Sequence, residues 1–245
     1  MVAKKIRLSC ILLNDNIIKF VAPCGEILYY TDWKVQRRLY MSPKAKTGTR
    51  GKILDAAETL IIEKGYTGTS VDSIIEEVGI TKGAYFYHFK SKAEMAKALV
   101  IRNADLDIER MREFSARARQ LSADPLESLL IFIGLYTEMV TDVTGPVPGC
   151  LFVSYSSETS QFDGAVREVL ERVIVVWREH LAAWLDEAAA VHPPVREFDR
   201  RSLADMLTVV LEGCFVVARM AQDGQVFAQQ LRHYRNYVEM LFKGV

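Results

Sequence analysis

Residues 69–90 read TSVDSIIEEVGITKGAYFYHFK, and no other stretch of this 245-residue chain restricts its fold as tightly. Val71, Ile74, Ile75 and Val78 recur at helical spacing, and Gly79 stops the run. Thr81 opens a second, very short helix that ends near Phe89. Glycine accepts the backbone angles of a tight turn, so Gly79 and Ile80 join two short helices at a sharp angle. Ser70 or Thr69 caps the first of them by accepting a free backbone N–H.

The helical pattern extends on both sides. Upstream, Ile53, Leu54, Ala57, Leu60 and Ile61 form one apolar face, and Gly65 ends that helix. Downstream, Ser91-Lys92-Ala93-Glu94 is a capping box for a fourth helix that turns Met95, Leu99 and Leu106 inward. Asp124-Pro125 starts another, since proline is welcome in a first turn. The run Gly145–Gly149 breaks the chain, and a short segment from Cys150 to Glu158 follows. Residues 164–190 form a long helix, and two more fit 200–222 and 225–242. The expected class is all-α: an N-terminal three-helix helix-turn-helix domain over 41–96, then a larger helical domain over 97–245.

Residues 1–40 differ. Ile17–Val21 and Glu26–Tyr30 lean toward strands around a Pro23–Gly25 turn. Met41-Ser42-Pro43 then reads like a protein start, so residues 1–40 are either an upstream extension before the true start or an arm that contacts DNA. The first fifty residues carry ten basic side chains against three acidic, although the whole chain is neutral. Cys10, Cys24, Cys150 and Cys214 form no C-x-x-C pair, which removes a zinc or dithiol-exchange reading. Scattered thiols suit a reducing cytoplasm. No apolar run approaches the ~20 residues of a membrane span.

The second short helix carries groups suited to nucleic acid. Thr81, Lys82, Tyr87 and His88 can hydrogen-bond, and amides at the helix start suit a phosphate. Gly83 and Ala84 are small enough for the backbone to approach base edges. In a helix-turn-helix this second helix enters the major groove.

Over these residues the chain resembles the TetR/AcrR family of bacterial repressors. The resemblance runs from Arg50-Gly51-Lys52-Ile53-Leu54-Asp55-Ala56-Ala57, through Glu63-Lys64-Gly65-Tyr66 and Thr69-Ser70-Val71, to Gly83-Ala84-Tyr85-Phe86-Tyr87-His88-Phe89 and Ser91-Lys92. It implies base contacts from Thr81, Lys82, Gly83, Ala84 and Phe86. It implies phosphate contacts from Ser70 (or Thr69), Tyr87, His88 and Lys92. Phe86 departs from the tyrosine common there and loses a phenolic contact. Tyr85 stands where leucine is common and is expected in the core with Phe89. The resemblance also implies a homodimer through about 200–222 and 225–242, a double-stranded DNA operator, and a small-molecule inducer bound in the C-terminal domain.

Pro148-Gly149-Cys150-Leu151-Phe152, followed by Glu158, is similar to the G-C-L segment of one branch of that family, some of whose members sense electrophiles through this cysteine. A cysteine at a helix start has a depressed pKa and is a better nucleophile; the bland reading of Cys150 is a small buried hydrophobe. Trp177 and Trp184, seven apart on one face, line a pocket with Tyr136, Phe152 and Tyr155, or are simply core. His180 on the same stripe reads as a satisfied core histidine. Glu212 interrupts the apolar run Leu207–Ala218 and faces either a ligand or solvent.

No enzymatic motif is present. Gly51-Lys52 resembles the end of a phosphate-binding loop, but Lys46 and Ile53 stand where glycine and serine or threonine are required. The four histidines lack ligand spacing, so no metal and no cofactor are expected. The function expected is a cytoplasmic DNA-binding repressor released from a pseudo-palindromic operator by a small molecule or electrophile. The alternatives are an activator or ligand-independent regulator with the same DNA grip, and a helical protein-interaction module.

Overall fold

A computed structural model describes residues 10–12, 17–21, 27–31, 48–141, 149–156, 158 and 164–243. The Pro23–Gly25 turn, the start at Met41 and the break through Pro148 lie outside them. The chain divides into two compact units, Met1–Pro43 and Lys44–Val245. In the first, β1 (Cys10–Leu12), β2 (Ile17–Val21) and β3 (Ile27–Thr31) pair antiparallel in the order β1-β2-β3, with Ile17 opposite Thr31 and Cys10 opposite Phe20. The two pieces read as strands thus pair, and a third joins them.

Every regular element described in the second unit is a helix. Its elements are α1 (Thr49–Gly68), α2 (Val71–Val78), α3 (Lys82–His88), α4 (Lys92–Leu121), α5 (Pro125–Thr141), α6 (Leu151–Ser156), α7 (Gly164–Val191), α8 (Arg200–Ala221) and α9 (Gln225–Lys243). α1 packs on α2, α3, α4 and α6, while α4, α5, α7, α8 and α9 form a larger bundle. The boundary expected between 96 and 97 falls inside α4, which runs on through both groups.

Gly65 does not end α1 outright. It takes φ +78° in a kink, and one further turn runs to Gly68. Ser70, not Thr69, caps α2: its hydroxyl accepts from Ser73 N at 3.0 Å, and Ser73 Oγ accepts from Ser70 N. Thr69 is fully buried and donates to the Gly65 carbonyl. At α4, Ser91 accepts from Glu94 N as expected, but the Glu94 carboxylate takes Lys90 N rather than the Ser91 amide. α8 is capped by Asp199, whose carboxylate accepts from Ser202 N at 2.7 Å.

The bundle core is organised on Phe132. It is fully buried, and its ring lies 5.1 Å from Tyr136, 6.2 Å from Trp177 and 5.3 Å from Trp184. Such pairs contribute about 0.5–1.5 kcal/mol beyond area burial. The polar handles are mostly met: Trp184 Nε1 donates to Ser128 Oγ at 3.2 Å, and His180 Nε2 shares a hydrogen bond with Ser115 Oγ at 2.7 Å. His180 is therefore the satisfied core histidine expected, and burial lowers its pKa. Because three aromatic partners surround one ring, Phe132→Ala is expected to cost about 3–5 kcal/mol in urea unfolding. A loss below about 1 kcal/mol, the range of a site that collapses freely, would show that this ring does not organise the core.

Candidate nucleic-acid interface

The turn between α2 and α3 is built as its sequence requires. Gly79 is left-handed at φ +70°, and its N–H reaches the Ile75 and Glu76 carbonyls. Thr81 caps α3 by accepting from Ala84 N at 3.2 Å. Tyr85 and Phe89 are core, at 0% and 1% exposure. The Tyr85 hydroxyl is buried without a partner among the described residues, and burial pushes its pKa up to about 12.

With those two rings anchored, the opposite edge of α3 faces out. Thr81, Lys82, Gly83 and Phe86 are exposed, Tyr87 is 79% exposed, and Ala84 and His88 are half-buried. Lys82 pairs with Asp72 at 3.3 Å, but both side chains are largely solvated, so the pair holds the lysine only weakly. Ser70 is exposed at the start of α2, with its hydroxyl committed to the cap.

Lys92 sits differently from the phosphate-contacting lysine expected. It is half-buried, its ammonium donates to the Tyr66 carbonyl at 2.5 Å, and it lies 4.0 Å from the Tyr66 ring centroid. Burial lowers its pKa against the pull of Glu158. It serves the end of α1 rather than the open face.

That end of α1 is held from the C-terminal half. The Glu158 carboxylate accepts from Tyr66 N and Thr67 N, each at 2.8 Å, and from the Thr67 hydroxyl. These bonds hold its pKa below the usual carboxylate range. On the other side of the kink, Arg219 donates to the Ile62 carbonyl at 2.7 Å and the Glu63 carbonyl at 3.3 Å. Gly149 lies against Ile62 and Arg219 with no room for a side chain. Sequence reasoning missed these roles: Glu158 lies 91 and 92 residues from its partners, Arg219 156 and 157 from its own, and no local pattern marks such pairs.

The candidate ligand residues divide into groups. Tyr136, Trp177 and Trp184 meet around Phe132. Tyr155 does not join them. α6 packs on α1, so Tyr155 is buried in the same core as Ile53, Tyr85 and Phe89, 6.0 Å from Tyr66. Phe152 is half-buried on the same short helix.

Of the two readings of Cys150, the buried one fits and the depressed-pKa one does not. Burial pushes its thiol pKa well up, and the neighbouring Glu212 carboxylate, with which it shares a hydrogen bond, pushes it further; the bonds from the Val153 and Phe152 backbone do not offset this. A helix start alone does not make a thiolate when desolvation and an acid oppose it. Among the described residues no acid, histidine and cysteine cluster could hold a metal, and no helix is long and apolar enough to cross a membrane.

The family model for bacterial regulatory proteins of the tetR family matches residues 53–99, and that for the tetracyclin repressor-like C-terminal domain matches 125–234. The HTH-type transcriptional repressor DhaR of Mycobacterium sp. (strain GP1) is 24% identical over 76% of this chain and 90% of its own length. An HTH-type regulator of Lactococcus lactis subsp. lactis is 48% identical, over 21% of this chain and 26% of its own length. Among solved structures, a TetR family regulator from Agrobacterium tumefaciens aligns with TM-score 0.63 at 26% identity, covering 79% of this chain and 97% of that one. Reduced NemR of E. coli aligns with TM-score 0.65 at 20% identity, covering 77% and 95%.

Three outcomes are expected. Glu158→Ala speeds amide exchange at Tyr66 and Thr67 about tenfold or more, since bonds to a charged acceptor contribute about 1.5–3 kcal/mol, while exchange in the middle of α4 is unchanged. Iodoacetamide at pH 7.5 modifies Cys150 in the folded protein more slowly than in the unfolded chain, followed by peptide mass spectrometry. Glu212→Gln speeds that reaction by removing the adjacent negative charge.

Proposed function

This chain belongs to the TetR family of bacterial regulatory proteins, and from that membership we propose that it represses transcription at a pseudo-palindromic operator and leaves it when a small molecule enters the helical core. It is a DNA-binding regulator with a helix-turn-helix, not an enzyme. The observation that carries the reading is the division of α3 into two edges, Tyr85 and Phe89 inward, Thr81, Lys82, Phe86 and Tyr87 outward. Only a helix whose outer edge is free of packing can enter a major groove.

On this reading Thr81, Lys82, Gly83, Ala84 and Phe86 meet base edges, while Ser70, Tyr87 and His88 meet phosphates. Lys92 supports the frame from behind, through Tyr66. DhaR is named a repressor, and repression is carried to this chain as part of the proposal. Two subunits present two copies of α3 to successive grooves, about 34–36 Å apart or a multiple of that.

The homodimer uses α8 and α9. Val209, Val216, Val217 and Met220 are exposed along α8, and Tyr237 and Met240 along α9, an apolar stripe unusual on a solvated surface. The DNA-binding half comprises residues 41–96 and the sensing half 97–245, with the inducer held near Tyr136, Trp177 and Trp184. Burial and the neighbouring Glu212 both raise the Cys150 thiol pKa, which favours reversible binding over capture of an electrophile at that residue. An inducer must bind the DNA-free state more tightly, since equal affinity shifts nothing.

In gel-shift titrations on DNA from its own upstream region, binding is expected to fall steeply with salt, with a log–log slope of about −0.9 for each phosphate neutralised. Lys82→Ala weakens binding by about 1–3 kcal/mol without changing the unfolding midpoint, because the side chain is exposed. Tyr85→Phe leaves DNA affinity unchanged. Val217→Glu shifts sedimentation toward monomer and lowers operator affinity with it. Full affinity in the Lys82→Ala protein, or no shift on any upstream fragment at low salt, would reject this placement of α3.

A further inference from the structure

The bundle core carries polar groups that the described chain does not satisfy. Tyr136 is 2% exposed, and its hydroxyl has no hydrogen-bond partner among the described residues. Its ring stands 5.2 Å from Trp177 and 4.8 Å from Phe114. Trp177 Nε1 donates to Asp107 Oδ2 at 2.6 Å, and Asp107 Oδ1 lies 3.9 Å from Arg110 Nη1. Asp107 is thus compensated by an indole N–H and a guanidinium.

Glu212 is not compensated. It stands on α8, and its charge is felt together with that of Asp107 from α4. The Cys150 thiol, from the start of α6, donates to this carboxylate, yet Glu212 Oε2 is buried without a partner among the described residues. Burying an unpaired carboxylate is costly, and buried polar groups in folded proteins are almost always satisfied. Asp107 ties the two groups to the aromatic core: it takes the Trp177 indole N–H, and both the Tyr136 hydroxyl and Glu212 feel its charge. An oxygen and a phenol left unmet around it, among the described residues, mark a place completed by something other than these residues.

We propose that this core binds an organic molecule with an aromatic body and a terminal hydrogen-bond donor, a protonated amine binding most tightly, with the body against Tyr136 and Trp177 and the donor on Glu212 Oε2. The assignment rests on the reading of this core as the inducer site and gives that inducer a chemical class. The charge balance selects the class. Glu212 and Asp107 both repel an anion, a neutral donor gains one hydrogen bond, and an ammonium gains a charge-assisted one. The aromatic faces favour a cation as well.

Burial pushes the Glu212 carboxyl up to about 7, with Asp107 raising it and the Cys150 bond lowering it. An ammonium prefers the ionised form. The amine is therefore bound more weakly at pH 6 than at pH 8, while a neutral alcohol shows little change.

The test is calorimetric titration of the full chain with three matched probes: phenylbutylamine, phenylbutanol and phenylbutyrate. The amine is expected to bind about tenfold tighter than the alcohol, and the carboxylate least. Glu212→Gln, nearly isosteric and relieved of a buried charge, keeps its helicity by circular dichroism and loses both the preference for the amine and its pH dependence. The proposal is overturned if the carboxylate matches the amine, if Glu212→Gln keeps the preference, or if none of the three probes binds, in which case ordered water satisfies these groups. The wild-type probe series decides the class even if the variant misfolds. A Glu212-dependent amine that binds but leaves operator affinity unchanged supports the ligand class and rejects the inducer reading.

Discussion

The Glu158 carboxylate on the end of α1 is the interaction that ties the C-terminal half of this molecule to its helix-turn-helix. A helix that kinks at Gly65 leaves backbone amides without helical partners, and Tyr66 and Thr67 find theirs in Glu158. Arg219 meets the carbonyls before the kink. Both charged groups come from the C-terminal half, one just past α6 and one near the end of α8. Each bond is charge-assisted, the stronger kind of hydrogen bond, and the two sides of the kink are held by opposite charges. Lys92 completes the arrangement on the Tyr66 carbonyl.

This grip joins the C-terminal half to the helix-turn-helix half. Leu151, Tyr155 and Val166 are buried in the same core as Ile53, Tyr85 and Phe89. Tyr85 and Phe89 in turn present the outer edge of α3. Displacement of α6 is therefore felt by packed side chains and not only by a linker. Coupling between distant sites requires such a contiguous element with two arrangements, and a bias of about 1–3 kcal/mol is enough to change affinity several-fold.

The helix-turn-helix was legible because its determinants are local. Ser70, Gly79 and Thr81 act within four residues of themselves, and the inward and outward edges of α3 follow from spacing along one short helix. The long helices α7, α8 and α9 were legible to within a residue or so for the same reason. The Gly65 kink was read as a stop because a glycine there signals a helix end; only partners from elsewhere let one more turn follow. Tyr155 was grouped with the wrong residues, and the depressed-pKa reading of Cys150 failed, for a related reason. Their environments come from α1 and α8, far away in sequence, and desolvation by those neighbours outweighs what a helix start does to a thiol.

By itself the sequence determined the helical class of the main unit, its caps and turns, the exposed edge of α3 and its likeness to a family of regulators. All of these depend on periodicity and on residues a few positions apart. The tertiary structure decided which charges are paired. It seated Lys92 and Glu158 on α1, set Trp177 against Asp107, and left Glu212 Oε2 and the Tyr136 hydroxyl unmet among the described residues. The reason is that pairing, burial and pKa depend on distance in space, and these pairs lie 26 to 157 residues apart in sequence.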